Sequence, residues 1–146
     1  MLTREQLCRM IDHTSLMAWA SKADITQLCR EAREYGFAAV AINSCWIPLA
    51  AEELKGTTVR VGTTIGFPLG ACMTAVKAHE AAEAVRAGAG ELDMVINVGW
   101  LKDGNYVGVR DDIRAVVDAA RGEAQRKGAG VIVKVIIETC YLNEAE

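Results

Sequence analysis

The chain has 146 residues, a formal net charge of −3 and only two histidines. That length suits a single domain over residues 1–146 with room for a sizeable core. The acidic balance excludes the basic footprint of a nucleic-acid binder, and no apolar run reaches the ~18 residues of a membrane span.

The start, Met1-Leu2-Thr3-Arg4-Glu5, has no apolar signal core. Cys8, Cys29, Cys45, Cys72 and Cys140 are odd in number and widely spread, with no Cys-x-x-Cys pair. Neither a disulfide framework nor a zinc site is indicated, and a cytoplasmic protein with reduced thiols is expected.

Thr3-Arg4-Glu5-Gln6 has capping-box spacing and predicts a short helix with Leu7 and Met10 as apolar contacts. A strand-like piece, Met10 to Thr14, follows, with Asp12 and Thr14 on one face. Ser21 opens a second helix, whose Ile25, Leu28, Cys29 and Ala32 fall on one stripe and whose cap is Gly36. Phe37 to Ile42 is an uninterrupted apolar run, the pattern of a strand buried on both faces. Ser44 to Pro48 then turns into a short helix through Leu54, closed by Gly56. Thr58 to Ile65 is a third strand by β-branching, and Gly66-Phe67-Pro68-Leu69-Gly70 is a loop.

Thr74 to Ala87 predicts a helix with Val76, Ala84 and Val85 as apolar anchors and Lys77, Glu80, Glu83 and Arg86 as charged positions. Next comes Gly90-Glu91-Leu92-Asp93-Met94-Val95-Ile96-Asn97-Val98-Gly99, a strand. Alternation places Leu92, Met94 and Ile96 on one face and Glu91, Asp93, Val95 and Asn97 on the other. Lys102 to Asn105 is a turn, and Asp111-Asp112 is the expected acidic opening of a long helix ended by Lys127-Gly128. Val131 to Ile137 is the fifth strand.

Alternating strands and helices predict a parallel sheet covered by helices, either doubly wound or a piece of an eight-fold barrel. A complete barrel typically takes about 250 residues, more than this chain has.

Asp93 is a site candidate because a carboxylate on a strand of such a sheet points into a barrel interior or a cleft. There it costs several kcal/mol unless paired or hydrated. The competing reading is a solvated strand end. Lys134 is the sole charge among seven β-formers, and a strand this apolar is expected inside a sheet rather than at its edge. A lysine in that position suits proton transfer or imine formation; the alternative is an edge lysine with its head in water. Asp12, Asp93 and Lys134 lie on three strands, and residues near the carboxyl ends of such strands converge. Two carboxylates and an ammonium can move protons beside a carbonyl, which names a chemistry but no substrate. His13 and His79 lack metal-ligand spacing, and no metal site is expected. Gly66 to Gly70 lacks the phosphate-loop pattern. Trp19, Trp46 and Trp100 are scattered and form no stacking platform.

Taken together, Ile11-Asp12-His13-Thr14, Gly66-Phe67-Pro68-Leu69-Gly70, Glu91 to Asn97 and Lys134-Val135-Ile136-Ile137-Glu138-Thr139 stand in the order seen in the deoxyribose-phosphate aldolases, and the chain resembles that family over essentially its whole length. The resemblance implies a (β/α)8 TIM barrel, here truncated after about the fifth strand. It implies reversible cleavage of 2-deoxy-D-ribose 5-phosphate to D-glyceraldehyde 3-phosphate and acetaldehyde. It further implies a lysine Schiff-base mechanism without metal or other cofactor, sugar phosphate and aldehydes as small-molecule partners, and a homo-oligomer. By the same resemblance, Asp93 matches the general acid–base aspartate that relays protons through a water. Lys134 matches a lysine that assists proton transfer, and Asp12 matches a polar residue at the floor of the site, with Thr14 beside it as a substrate-binding candidate.

Ala41 and Ser44 stand where the family often has cysteine and proline. The larger departure is the family's sixth-strand Lys-Thr-Ser-Thr-Gly-Phe-like motif, which carries the Schiff-base lysine. That motif, the seventh-strand lysine and the later phosphate loops are not in this sequence. The chain is therefore expected to be the N-terminal part of an aldolase, inactive alone. The alternatives are a non-catalytic module that self-associates or binds a partner, and an unorthodox enzyme in which Lys134 itself forms the imine.

Overall fold

The computed structural model describes residues 1–146. Its five strands lie in one parallel sheet, ordered β1-β2-β3-β4-β5 as in the chain, with helices between successive strands. This is the α/β architecture expected from the alternation. Contacts gather into two compact units, Met1–Thr64 with Ala87–Glu91, and Ile65–Arg86 with Leu92–Glu146. No helix is long and apolar enough to cross a membrane.

In the first unit, α1 (Arg4–Cys8) starts at the capping box of Thr3 and Gln6. Its buried residue is Cys8, whereas Leu7 and Met10, the expected contacts, face solvent. Five residues make little more than one turn, so spacing alone did not determine which side would be covered. β1 (Asp12–Ser15) pairs in parallel with β2 (Ala39–Ile42), Asp12 opposite Ala39 and Thr14 opposite Ala41. Between them α2 (Lys22–Tyr35) runs from the Ser21–Asp24 capping box to Gly36, whose φ of 65° is the left-handed cap that glycine adopts without strain. Ile25, Leu28, Cys29 and Ala32 are buried as their stripe requires. β2 is buried at every residue. A 3-10 turn, Ser44–Trp46, leads into α3 (Ile47–Glu53), which packs on α2. β3 (Arg60–Ile65) continues the register, with Ala41 opposite Gly62.

In the second unit, α4 (Thr74–Ala87) has the expected bounds but a different buried face. Val76 is exposed and Lys77 is fully buried. The stripe that packs is Lys77, Ala81, Ala84 and Val85, so the lysine occupies an apolar position. β4 (Glu91–Val95) buries Leu92 and Met94 completely. A short helix not anticipated from the sequence, α5 (Val98–Lys102), follows; the Asn97 side chain accepts from the Trp100 amide and caps it. α6 (Tyr106–Arg126) begins well before Asp111-Asp112, at Asn105, which accepts from the Gly108 amide. A side-chain cap overrode the acidic pair as the start signal, and Asp112 is thereby placed inside the helix and buried.

The last strand, β5 (Ile132–Ile136), corrects a further expectation. It lies at the edge of the sheet, with β4 as its only neighbour. Ile132, Val135 and Ile137 are all more than a third exposed. An apolar run records what a strand can bury; whether something covers it is a tertiary matter.

Candidate active site

Of the four residues singled out, the structure brings Asp93 and Lys134 together. Lys134 Nζ lies 3.0 Å from Asp93 Oδ1, on neighbouring strands of the second unit. Their side chains are 39% and 17% exposed, so the pair is reachable from solvent but largely sheltered on the carboxylate side. Oδ1 is buried and accepts no hydrogen bond of good geometry. The contact is thus an ion pair rather than a directional bond, and a proton donor entering the site would find an acceptor oxygen with capacity to spare.

Asp12 and Thr14 lie on β1, in the first unit. Asp12 is half-buried; Thr14 is exposed, and its hydroxyl donates to the Asp12 carbonyl at 2.9 Å. Glu91, which shares the strand face of Asp93 by alternation, is buried at the start of β4. Arg60 Nη1 lies 4.0 Å from its carboxylate. His13 is held by Glu31 at 2.6 Å, and His79 is exposed on α4.

The second unit forms a cavity of about 610 Å³, lined chiefly by Phe67, Leu69, Val95, Val98, Glu138 and Tyr141. Val95 lies two residues along from Asp93 and shares its strand face. The wall is apolar except for Glu138 and the tyrosine. Glu138 has φ 54°, a left-handed conformation uncommon outside glycine and asparagine, just after β5. The Gly66–Gly70 loop is pressed against the end of β4: a Cβ on Gly70 would stand 2.0 Å from the Ile96 carbonyl oxygen, so no larger residue fits there.

Sequence reasoning missed Lys77 and Asp112, whose charged groups meet at 2.7 Å with both side chains at most 1% exposed. The signal was present. Lys77 falls in register with Ala81, Ala84 and Val85, and Asp112 with Val109, Val116 and Ala120, so each charge lies in an otherwise apolar stripe.

An ammonium–carboxylate pair can accept and return a proton next to a carbonyl group held against it. It contains no group of three or more His, Cys, Asp or Glu side chains that could hold a metal ion.

No family model matches the chain. Curated relatives do. A deoxyribose-phosphate aldolase from Geobacillus sp. (strain WCH70) is 56% identical over 96% of this chain and 60% of its own length. One from Carboxydothermus hydrogenoformans is 52% identical over the whole chain and 62% of its own length. Among solved structures, the tetrameric deoxyribose phosphate aldolase from Aeropyrum pernix superposes with a TM-score of 0.85 at 29% identity, over 98% of this chain and 57% of that one. The chain therefore spans about 60% of the length of the relatives it matches.

Proposed function

We infer that this chain belongs to the deoxyribose-phosphate aldolase family, from its likeness to curated relatives over 96% and 100% of its length. It supplies the proton-transfer part of a Schiff-base aldolase that cleaves 2-deoxy-D-ribose 5-phosphate reversibly to D-glyceraldehyde 3-phosphate and acetaldehyde. The observation that carries this reading is the 3.0 Å contact of Lys134 with Asp93, two residues before Val95 of the cavity wall.

In the cleavage direction the sugar's carbonyl is held as an iminium on a lysine amine. As the carbon–carbon bond breaks, its electron pair enters the iminium and leaves an enamine. The proton of the β-hydroxyl passes to the Asp93 carboxylate, and the new carbonyl departs as glyceraldehyde phosphate. Asp93 returns the proton to the enamine carbon, and water then hydrolyses the imine to acetaldehyde and free amine. Lys134 keeps the carboxylate poised by its charge and position. Asp12 and Thr14 are assigned to substrate contacts. The imine-forming lysine and the phosphate loops belong to motifs that this sequence does not contain, so the 146-residue chain alone is expected not to turn over.

The test is intact mass spectrometry after incubation with acetaldehyde and borohydride, alongside an assay of 2-deoxy-D-ribose 5-phosphate cleavage. The expected result is no turnover and no site-selective reduced imine on the chain alone. Fusion to the remaining strands of a relative should restore both, with the adduct outside residues 1–146. A single adduct on Lys134 of the isolated chain would overturn the assignment and make that residue the nucleophile.

A second reading is favoured by the exposed Ile132 and Val135 on the edge strand β5 and Ile137 just after it. An apolar edge of this kind is a template for association. On this reading the chain is a non-catalytic module that self-associates, and sedimentation of the purified chain as a monomer would reject it.

A further inference from the structure

Lys77 is the largest fully buried side chain in the protein, and the proposed reaction makes no use of it. A lysine has a long flexible stem and ordinarily carries its head to water. Here Val76 faces solvent instead, and the Lys77 ammonium is drawn inward to two acceptors. Nζ donates to Asp112 Oδ2 at 2.7 Å and to the Val95 carbonyl at 3.0 Å. The other Asp112 oxygen accepts from Thr74 Oγ1 at 2.8 Å. Burying such a pair costs desolvation that an apolar pair would avoid, so the charges are better explained by what they hold in place than by stability.

What they hold is the end of β4. The Val95 carbonyl is two residues beyond Asp93. The same stretch of backbone receives the Gly66–Gly70 loop, since a Cβ on Gly70 would stand 2.8 Å from the Val95 oxygen. The other end of that loop lies on the lysine stem: a Cβ on Gly66 would meet Lys77 Cε at 2.9 Å. The loop is closed by Gly70 N donating to Gly66 O at 2.8 Å, and tied to α4 by Gly66 N donating to Glu80 Oε2 at 2.8 Å. Lys77 thus carries the loop on its stem and the strand end on its head. Phe67 and Leu69 of that loop, with Val95, line the cavity.

We propose that Lys77 is a positioning residue of the site: through the Val95 carbonyl and the Gly66–Gly70 loop it sets the cavity wall and the strand segment that carries Asp93. It touches no substrate. Its relevance to catalysis rests on the aldolase reading, but its positioning role can be tested without turnover.

The experiment compares the 146-residue chain with the double variant Lys77→Met/Asp112→Leu, in which an apolar pair replaces the charged one. Amide hydrogen exchange and the 13C-detected titration of the Asp93 carboxyl are read by NMR. The expected result is a cooperatively folded protein whose exchange quickens about tenfold or more at residues 66–70 and 95–97 while α2 amides are unchanged, with the Asp93 midpoint displaced. Wild-type exchange in both segments with an unmoved Asp93 midpoint would overturn the proposal and leave Lys77 a structural residue only. Thr74→Val, which removes only the outer hydrogen bond to Asp112, guards against a double variant that does not fold. It should quicken the same two segments by about threefold, and no change there would count equally against the role. Absence of aldolase activity leaves these readouts intact, so the two readings fail separately.

Discussion

Lys134 and Asp93 meet at 3.0 Å across neighbouring strands, the carboxylate the more sheltered of the two. In the proposed function Asp93 is the group that exchanges protons and Lys134 the charge beside it. Removing the carboxylate should therefore affect chemistry far more than folding.

Asp93→Asn, in the chain fused to the remaining strands of a relative, should lower turnover by about 100-fold or more, the usual reach of a general acid–base group. Because Lys134 is 39% exposed, the loss in stability should stay within about 1 kcal/mol. Steady-state kinetics and urea unfolding of the same variant check both. Full turnover would reject the role.

Asp112→Ala should be far more damaging to the fold. It leaves the Lys77 ammonium, fully buried, without its counter-charge, and breaking a buried pair in this way costs about 3–5 kcal/mol. Urea denaturation is the measurement, and a loss below about 1 kcal/mol would show that water or another group takes over.

Cys29 should resist alkylation while exposed Cys45 and Cys140 react. Burial, and then the charge of Glu53, push the Cys29 thiol up to about 11, with Arg33 opposing weakly. At pH 8 almost no thiolate forms there, and the thiolate is the reactive species. Iodoacetamide labelling of the native chain, mapped by peptide mass, tests this; early labelling at Cys29 would contradict it.

Glu31 links acid stability to the first unit. Hydrogen bonds from Gln27 and then His13 hold its carboxyl below the usual range. A carboxylate depressed in the folded state contributes stability above its unfolded pKa, about 4.5, and loses it as pH falls through the lower folded value. Gln27→Ala and His13→Ala should each raise the Glu31 midpoint in an NMR titration. An unmoved midpoint in both variants would remove this link.

Several elements were legible in the chain because their signals are local. The Ser21–Asp24 box, the Ile25-Leu28-Cys29-Ala32 stripe and the left-handed Gly36 define α2 without reference to anything distant. The faces of β4 followed from alternation, and with them the sheltered carboxylate at Asp93. Where two local signals competed, the choice failed. Asp111-Asp112 resembled a helix start, but Asn105 caps α6 six residues before the pair. Val76 resembled a core residue, but α4 is turned so that Lys77 takes that place.

By itself, then, the sequence determined the order of strands and helices, the likeness to the deoxyribose-phosphate aldolases, and the identity of Asp93 and Lys134 as candidates. Each depends on residue types at short spacing or in a motif. Only the tertiary structure decided that those two residues touch, that Lys77 pairs with Asp112 across 35 positions of chain, and that β5 is an edge. These are contacts between segments far apart in sequence. Their geometry depends on how each helix is rotated and on what packs beside each strand, and no local pattern of side chains encodes either.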